Sequence, residues 1–189
     1  FTFSNTIKNT LIEWKVSKEN AQYYGYNSRY FWQLQKLFEE DGIKNFLADS
    51  QYGAHYSTAI KIAEKNPFFG VGIKNFRVES FKREYVIDAD HKWRASAGNT
   101  HPHQIHFEFL SETGLFGYSC FLIFIISSII LSIKNYLINK NPYQLSGILF
   151  VISNLIPLLP SGSFFSTYTS IIFWLNYALM VGYINLEKN

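Results

Sequence analysis

Residues 115–133 read LFGYSCFLIFIISSIILSI, nineteen positions without a charge. At about 1.5 Å of rise per residue, a helix of that length approaches the roughly 30 Å hydrocarbon core of a bilayer. Two further apolar segments follow. Residues 144–165 are interrupted by Ser153-Asn154, Pro157 and Pro160. That predicts a broken or kinked helix whose polar backbone must face protein or a water-filled cavity. Residues 169–184 form the third segment, with Trp174 and Tyr177 in it. A buried hairpin in a soluble domain competes with this reading, but three such segments with almost no charge between them exceed what a small core covers. The expectation is an all-α, polytopic membrane protein fragment. A mostly helical loop region over 1–114 precedes three transmembrane helices within 115–189.

The charge distribution supports the division. Residues 1–114 hold 14 of the 17 Lys+Arg and 13 of the 14 Asp+Glu, whereas 115–186 hold only Lys134 and Lys140. Those two lysines lie between the first and second segments and assign that loop to the cytoplasm by the positive-inside rule. The uncharged stretch 161–168 then falls on the other side, and 1–114 face the periplasm. The chain shows neither an initial Met nor a signal peptide, so upstream membrane helices are expected to carry 1–114 across. Aromatics at 19% exclude disorder, and the single Cys120 excludes a disulfide scaffold. A net charge of +3 without a basic cluster gives no nucleic-acid partner.

Within 1–114, residues 6–47 read as helical pieces. Asn27-Ser28 is a candidate cap before Tyr30, Asp41-Gly42 a candidate end, and Trp14, Trp32, Phe38 and Phe46 are packing residues. Residues 56–65 place Tyr56, Ala59, Ile60 and Ala63 on one helical face, and Asn66-Pro67 stops that helix. Gly70 and Gly72 then permit a turn between helices. No Gly-Lys-Ser/Thr ending supports a phosphate loop. Lys74, Arg77, Lys82 and Arg83 follow, interleaved with Glu79 and Glu84, as on a solvated face. Residues 88–98 form a polar loop carrying His91 and Arg94.

The most informative polar stretch is Asn99-Thr100-His101-Pro102-His103-Gln104-Ile105-His106. Thr100 with Pro102 resembles a helix start. Phe107, Leu110 and Leu115 continue a buried face, and Gly114 and Gly117 allow close contact at the membrane. Three histidines thus gather at a helix amino end. Interfacial polar residues are one reading. A zinc site on His101, His103 and His106 is a second, although the i, i+4 spacing of helical zinc motifs is missing. A general base is the third: the helix end disfavours imidazolium and keeps a histidine neutral, and its free N–H groups suit a phosphate.

Asn66-Pro67-Phe68-Phe69-Gly70-Val71-Gly72-Ile73-Lys74-Asn75-Phe76 resembles the NPxxGxGxxNF signature of the O-antigen ligase and O-antigen polymerase superfamily. His101-Pro102-His103, with Leu110, Glu112, Gly114 and Gly117 after it, resembles the second signature, HPHNxxLxxLxExGxxG. Residues 160–165 resemble the family's late periplasmic turn. The resemblance implies a GT-C-like glycosyltransferase of the bacterial inner membrane, multi-pass and metal-independent. It implies an undecaprenyl-diphosphate-linked glycan donor, a lipid A-core or glycan acceptor, contact with membrane lipid, and no cofactor.

The family's essential histidine maps onto His103. Arg77, Lys74, Arg94, His101, Gln104 and Asn75 become candidates for binding substrate. Pro67, Gly70, Gly72, Glu112, Gly114 and Gly117 become structural motif positions, with Glu112 a hydrogen-bond partner too far along the helix to share the chemistry. Gln104 stands where members usually have Asn, and 50–55 lack the Arg that many members place there. The diphosphate clamp must then come from Arg77, Arg94, Lys74 or upstream sequence. A non-enzymatic scaffold or export component of envelope assembly, and a metal-dependent membrane hydrolase, are the alternatives from other classes.

Overall fold

The computed structural model describes residues 42–85 and 97–184. The expectations for Asn27-Ser28, Trp14, Tyr30, Trp32, Phe38, Asp41, His91 and Arg94 lie outside the described residues. Among the described residues every regular element is helical, with no strand. The order is α1 (Gly42–Asp49), α2 (Gln51–Lys65), a single turn α3 (Phe76–Glu79), a 3-10 turn (Arg83–Tyr85), α4 (Ile105–Asn139), α5 (Pro142–Asn154) and α6 (Thr167–Gly182).

Ser50 caps α2, its hydroxyl accepting from the Gly53 amide at 2.8 Å. The buried face holds Tyr56, Ala59 and Ala63 as expected, but Ile62 rather than Ile60 completes it. The reason is a small core in which Ala59 and Ile62 meet Phe76 and Tyr85. Asn66 ends the helix, and its side-chain amide donates to the Ile62 carbonyl and the Tyr85 hydroxyl, each at 3.1 Å.

The turn after Asn66 is a docking piece for α4. Gly114 leaves helical geometry at φ 66° and ψ −172°, which splits α4 into 105–113 and 115–139. Such a break strands carbonyls on one side and N–H groups on the other. The turn satisfies both sets. Val71 and Gly72 donate to the carbonyls of Ser111 and Glu112 at 3.1 and 2.8 Å, and Leu115 and Phe116 donate to those of Pro67 and Phe68 at 2.7 and 3.1 Å. Gly70, at φ 65°, faces the same break. A Cβ on Gly70 would sit 2.4 Å from the Glu112 carbonyl carbon, and one on Gly114 2.4 Å from that of Phe68. Only glycine fits either position.

α4 begins later than expected. Its N-cap is Gln104, whose side-chain oxygen accepts from the amides of His106 and Phe107 at 2.7 and 3.3 Å. Thr100 cannot start it, because its hydroxyl is engaged with the Asn99 side-chain oxygen and His101 Nδ1. His103 also stands between, at φ 58°.

α4 is the one helix among the described residues long and apolar enough to cross a membrane. Its outer part, 115–139, reaches about 37 Å. α5 has 13 residues and α6 has 16, so they reach about 20 and 24 Å. The segment 144–165 is broken, as its interruptions predicted. It stops at Asn154, before Pro157 and Pro160. α5 and α6 cross closely: a Cβ on Gly147 would sit 2.6 Å from the Met180 amide, and Gln144 donates to the Met180 carbonyl at 3.1 Å. Phe109, Phe121, Phe164 and Phe173 fill the core that joins them to α4.

The non-helical stretch between α5 and α6 keeps its polar backbone against protein. His106 Nε2 donates to the Leu155 carbonyl at 2.8 Å and Gln104 to that of Ile156 at 3.4 Å. The Tyr56 hydroxyl donates to the Leu158 carbonyl at 3.4 Å. The buried Glu108 carboxylate accepts from the Phe164 amide at 2.6 Å and from the Ser163 hydroxyl. The Ser161 amide donates to the His103 carbonyl at 2.6 Å.

Candidate active site

The site forms where α2, the end of α3 and the segment entering α4 converge. His103 is half-buried, with its backbone in the left-handed region. For a residue other than glycine that conformation costs about 1 to 2 kcal/mol. Hydrogen bonding of its carbonyl to Ser161 holds it there. Its ring centroid lies 4.0 Å from that of His101, 5.3 Å from that of His55 and 5.7 Å, edge-on, from that of Tyr52.

Asn99 sits between two of these rings. Its amide nitrogen is 3.1 Å from His103 Nε2 and 3.3 Å from His55 Nε2. Ser80, itself buried, clips the Asn99 backbone by donating to its carbonyl at 3.0 Å and accepting from its amide at 3.1 Å.

The histidines are held neutral, for a reason other than the helix end. Burial drives His103 down to about 3, and the adjacent His101 and His55 add to the effect. Burial also lowers His101, with the Arg77 charge reinforcing it. For His55 burial outweighs the opposing contact with the Ala97 carbonyl. A neutral imidazole at physiological pH accepts a proton and does not donate one.

Glu112 organises the basic rim. Its carboxylate is buried and accepts from the amides of Lys74 at 2.6 Å and Phe76 at 3.1 Å. It thereby holds Lys74 at φ 62°. The side chains of Lys74 and Arg77 are exposed and form no ion pair among the described residues. The Arg77 charge is felt at His101, so a cation lies beside the neutral histidine cluster, which suits an anionic leaving group beside a base.

The structure thus brings His101 and His103 together with the Arg77 charge near His101, while Lys74 lies beside Glu112. Other candidates are used within the fold. Gln104 is buried as the α4 cap, and Asn75 folds back to donate to the Val71 carbonyl at 2.8 Å. Pro67, Gly70, Gly72 and Gly114 build the docking turn, while Gly117 lies against the Thr113 side chain. His106 points away from the other two histidines of its triplet, toward Leu155 and the Tyr118 hydroxyl. Among the described residues no three His, Cys, Asp or Glu are grouped to hold a metal ion. Sequence reasoning missed His55, Asn99 and Tyr52. One signal existed, since His55 is a titratable residue next to the face that carries Tyr56, Ala59 and Ala63.

Among the described residues, helices alone, one of them long and apolar enough to cross a membrane, hold a neutral histidine cluster with an exposed arginine acting on it, which makes a candidate acid–base site. A model of the O-antigen ligase family matches residues 22–122, just over half of the 189-residue chain. The chain belongs to that family, in agreement with its two motifs. Membership gives a glycosyltransferase-type enzyme of the inner membrane that acts on lipid-linked glycan. No curated protein and no solved structure matches it.

Proposed function

We propose that the chain transfers a glycan from an undecaprenyl-diphosphate carrier to a hydroxyl of lipid A-core or of a growing glycan, with inversion at the anomeric carbon. His103 takes the proton of the acceptor hydroxyl. The hydroxyl oxygen forms its bond to the anomeric carbon as the bond to the diphosphate oxygen breaks, and the electron pair leaves with the diphosphate. Arg77 and Lys74 hold that charge, with His101 and Arg94 as further contacts. Residues 1–114 face the periplasm. The chain crosses the membrane through 115–133, through α5 with the irregular stretch that follows it, and through α6, and its prenyl donor lies along these segments.

The observation that carries this reading is His103 itself. It is a neutral, half-buried imidazole in a left-handed backbone position, a dozen residues before the charge-free run, with the exposed Arg77 acting on the neighbouring His101. Strain of this kind concentrates at functional sites. The test is glycan transfer by the full-length protein carrying His103→Ala, with membrane insertion assayed separately. His103→Asn serves as a second variant, because asparagine tolerates the left-handed backbone. Both should lose transfer by on the order of a hundredfold or more. Normal transfer by an inserted His103→Asn protein would remove His103 from the mechanism. Arg77→Ala should raise KM for the lipid donor, and an unchanged KM would move the clamp elsewhere.

A further inference from the structure

The Asn99 side chain has a fixed orientation. Its oxygen accepts from the Thr100 backbone amide at 2.7 Å, and a backbone amide can only donate. The nitrogen is therefore on the other side, where it meets two imidazole nitrogens, Nε2 of His55 at 3.3 Å and Nε2 of His103 at 3.1 Å. One –NH2 group has two hydrogens, one for each ring. Both Nε2 atoms must then be bare acceptors, and both rings must carry their proton on Nδ1. His55 agrees independently: its Nδ1 lies 3.4 Å from the Ala97 carbonyl, which can only accept. The backbone of Asn99 is locked by Ser80, so only rotation about its side-chain bonds can uncover the rings.

We infer that Asn99 is a positioning residue that fixes the tautomer of His103 through a single amide shared with His55, leaving Nε2 as the nitrogen that receives the proton. This rests on the reading of His103 as the base. At rest the Nε2 lone pair is covered by the Asn99 N–H. The acceptor hydroxyl replaces that N–H and hands its proton to Nε2, while Nδ1 keeps its own. The resulting Nε2–H would confront an amide that also presents hydrogen, so the imidazolium gives its proton up to water and the resting pair re-forms. His55 serves as the second anchor for the amide and does not touch the substrate.

The decisive variant is Asn99→Asp, which keeps the shape and replaces the donor with an acceptor. The carboxylate would demand Nε2–H on both rings. The full-length protein, with 15N-labelled histidine and embedded in lipid nanodiscs, is read by imidazole 15N–1H correlation, the His103 signals being assigned by their loss in His103→Asn. The wild type should show His103 protonated on Nδ1 and bare on Nε2, and Asn99→Asp should show Nε2 protonated. In parallel, kcat of Asn99→Asp should fall on the order of a hundredfold while KM for the lipid donor changes little. An Nε2-protonated His103 in the wild type, an unchanged tautomer in Asn99→Asp, or a wild-type kcat in that variant would each overturn the inference. The reading of His103 as base fails separately, through an active His103→Asn protein, and the tautomer assignment would survive that result.

Discussion

Two hydrogen-bonded junctions, besides the aromatic core, join α4 to the rest of the molecule, and they are built from different materials. At Gly114 the contacts are backbone to backbone: four N–H groups find four carbonyls across two segments. At the foot of the histidine segment, side chains of His106, Gln104, Glu108 and Tyr56 reach the stretch between α5 and α6. The first junction depends on close backbone approach, so it is unforgiving at its glycines. The second spreads its bonds over several side chains, so no single loss should dissolve it.

That contrast is broken or sharpened most by Gly114→Ala. The new Cβ meets backbone at 2.4 Å and the φ is positive, so strain and overpacking add. A loss of about 3 kcal/mol or more is expected, seen as a collapse in Tm and in membrane yield of the full-length protein. An unshifted Tm would deny the junction its described form.

Next come the two buried carboxylates, which distinguish the junctions by their partners. Glu112 faces two backbone amides that can only donate, so Glu112→Gln turns a donor toward a donor and should cost about 1 to 3 kcal/mol. Glu108 faces one amide and one hydroxyl, and the Ser163 hydroxyl can reverse to accept from a new amide. Glu108→Gln should therefore cost less than about 1 kcal/mol. Equal melting shifts in the two variants would contradict this assignment. His106→Phe, which removes the bonds to the Leu155 carbonyl and to the Tyr118 hydroxyl, should cost about 1 to 2 kcal/mol, and a larger drop would concentrate the junction on that ring.

A different probe is the pH dependence of stability. His103 is lowered from 6.5 to about 3, so the unfolded chain binds a proton that the folded chain refuses. Its contribution is complete above pH 6.5 and is lost as pH falls toward 3. Melting of the full-length protein across that window should fall less steeply in His103→Asn than in wild type. An identical slope would place the imidazole in a more solvated setting.

Much of the first junction was legible because glycine and proline carry backbone meaning on their own. The stop at Asn66-Pro67, the break after Ser153-Asn154 and the apolar run after Gly114 are all local properties. Spacing also put Gly70 and Gly114 in two motifs, though not against each other. The site was less legible, because its partners come from afar. His55 and Asn99 are 44 residues apart and Glu108 and Ser163 are 55 apart. The helix start was misplaced because Thr100 resembles a cap, while the capping is done by Gln104 four residues later. The neutrality of His103 was expected from a helix end. Its largest causes are burial and two neighbouring rings, which a one-dimensional pattern does not display.

The carbonyl of His103 takes its hydrogen from Ser161, on the chain between α5 and α6. A displacement of that stretch would consequently reach the peptide that carries the imidazole through a single hydrogen bond.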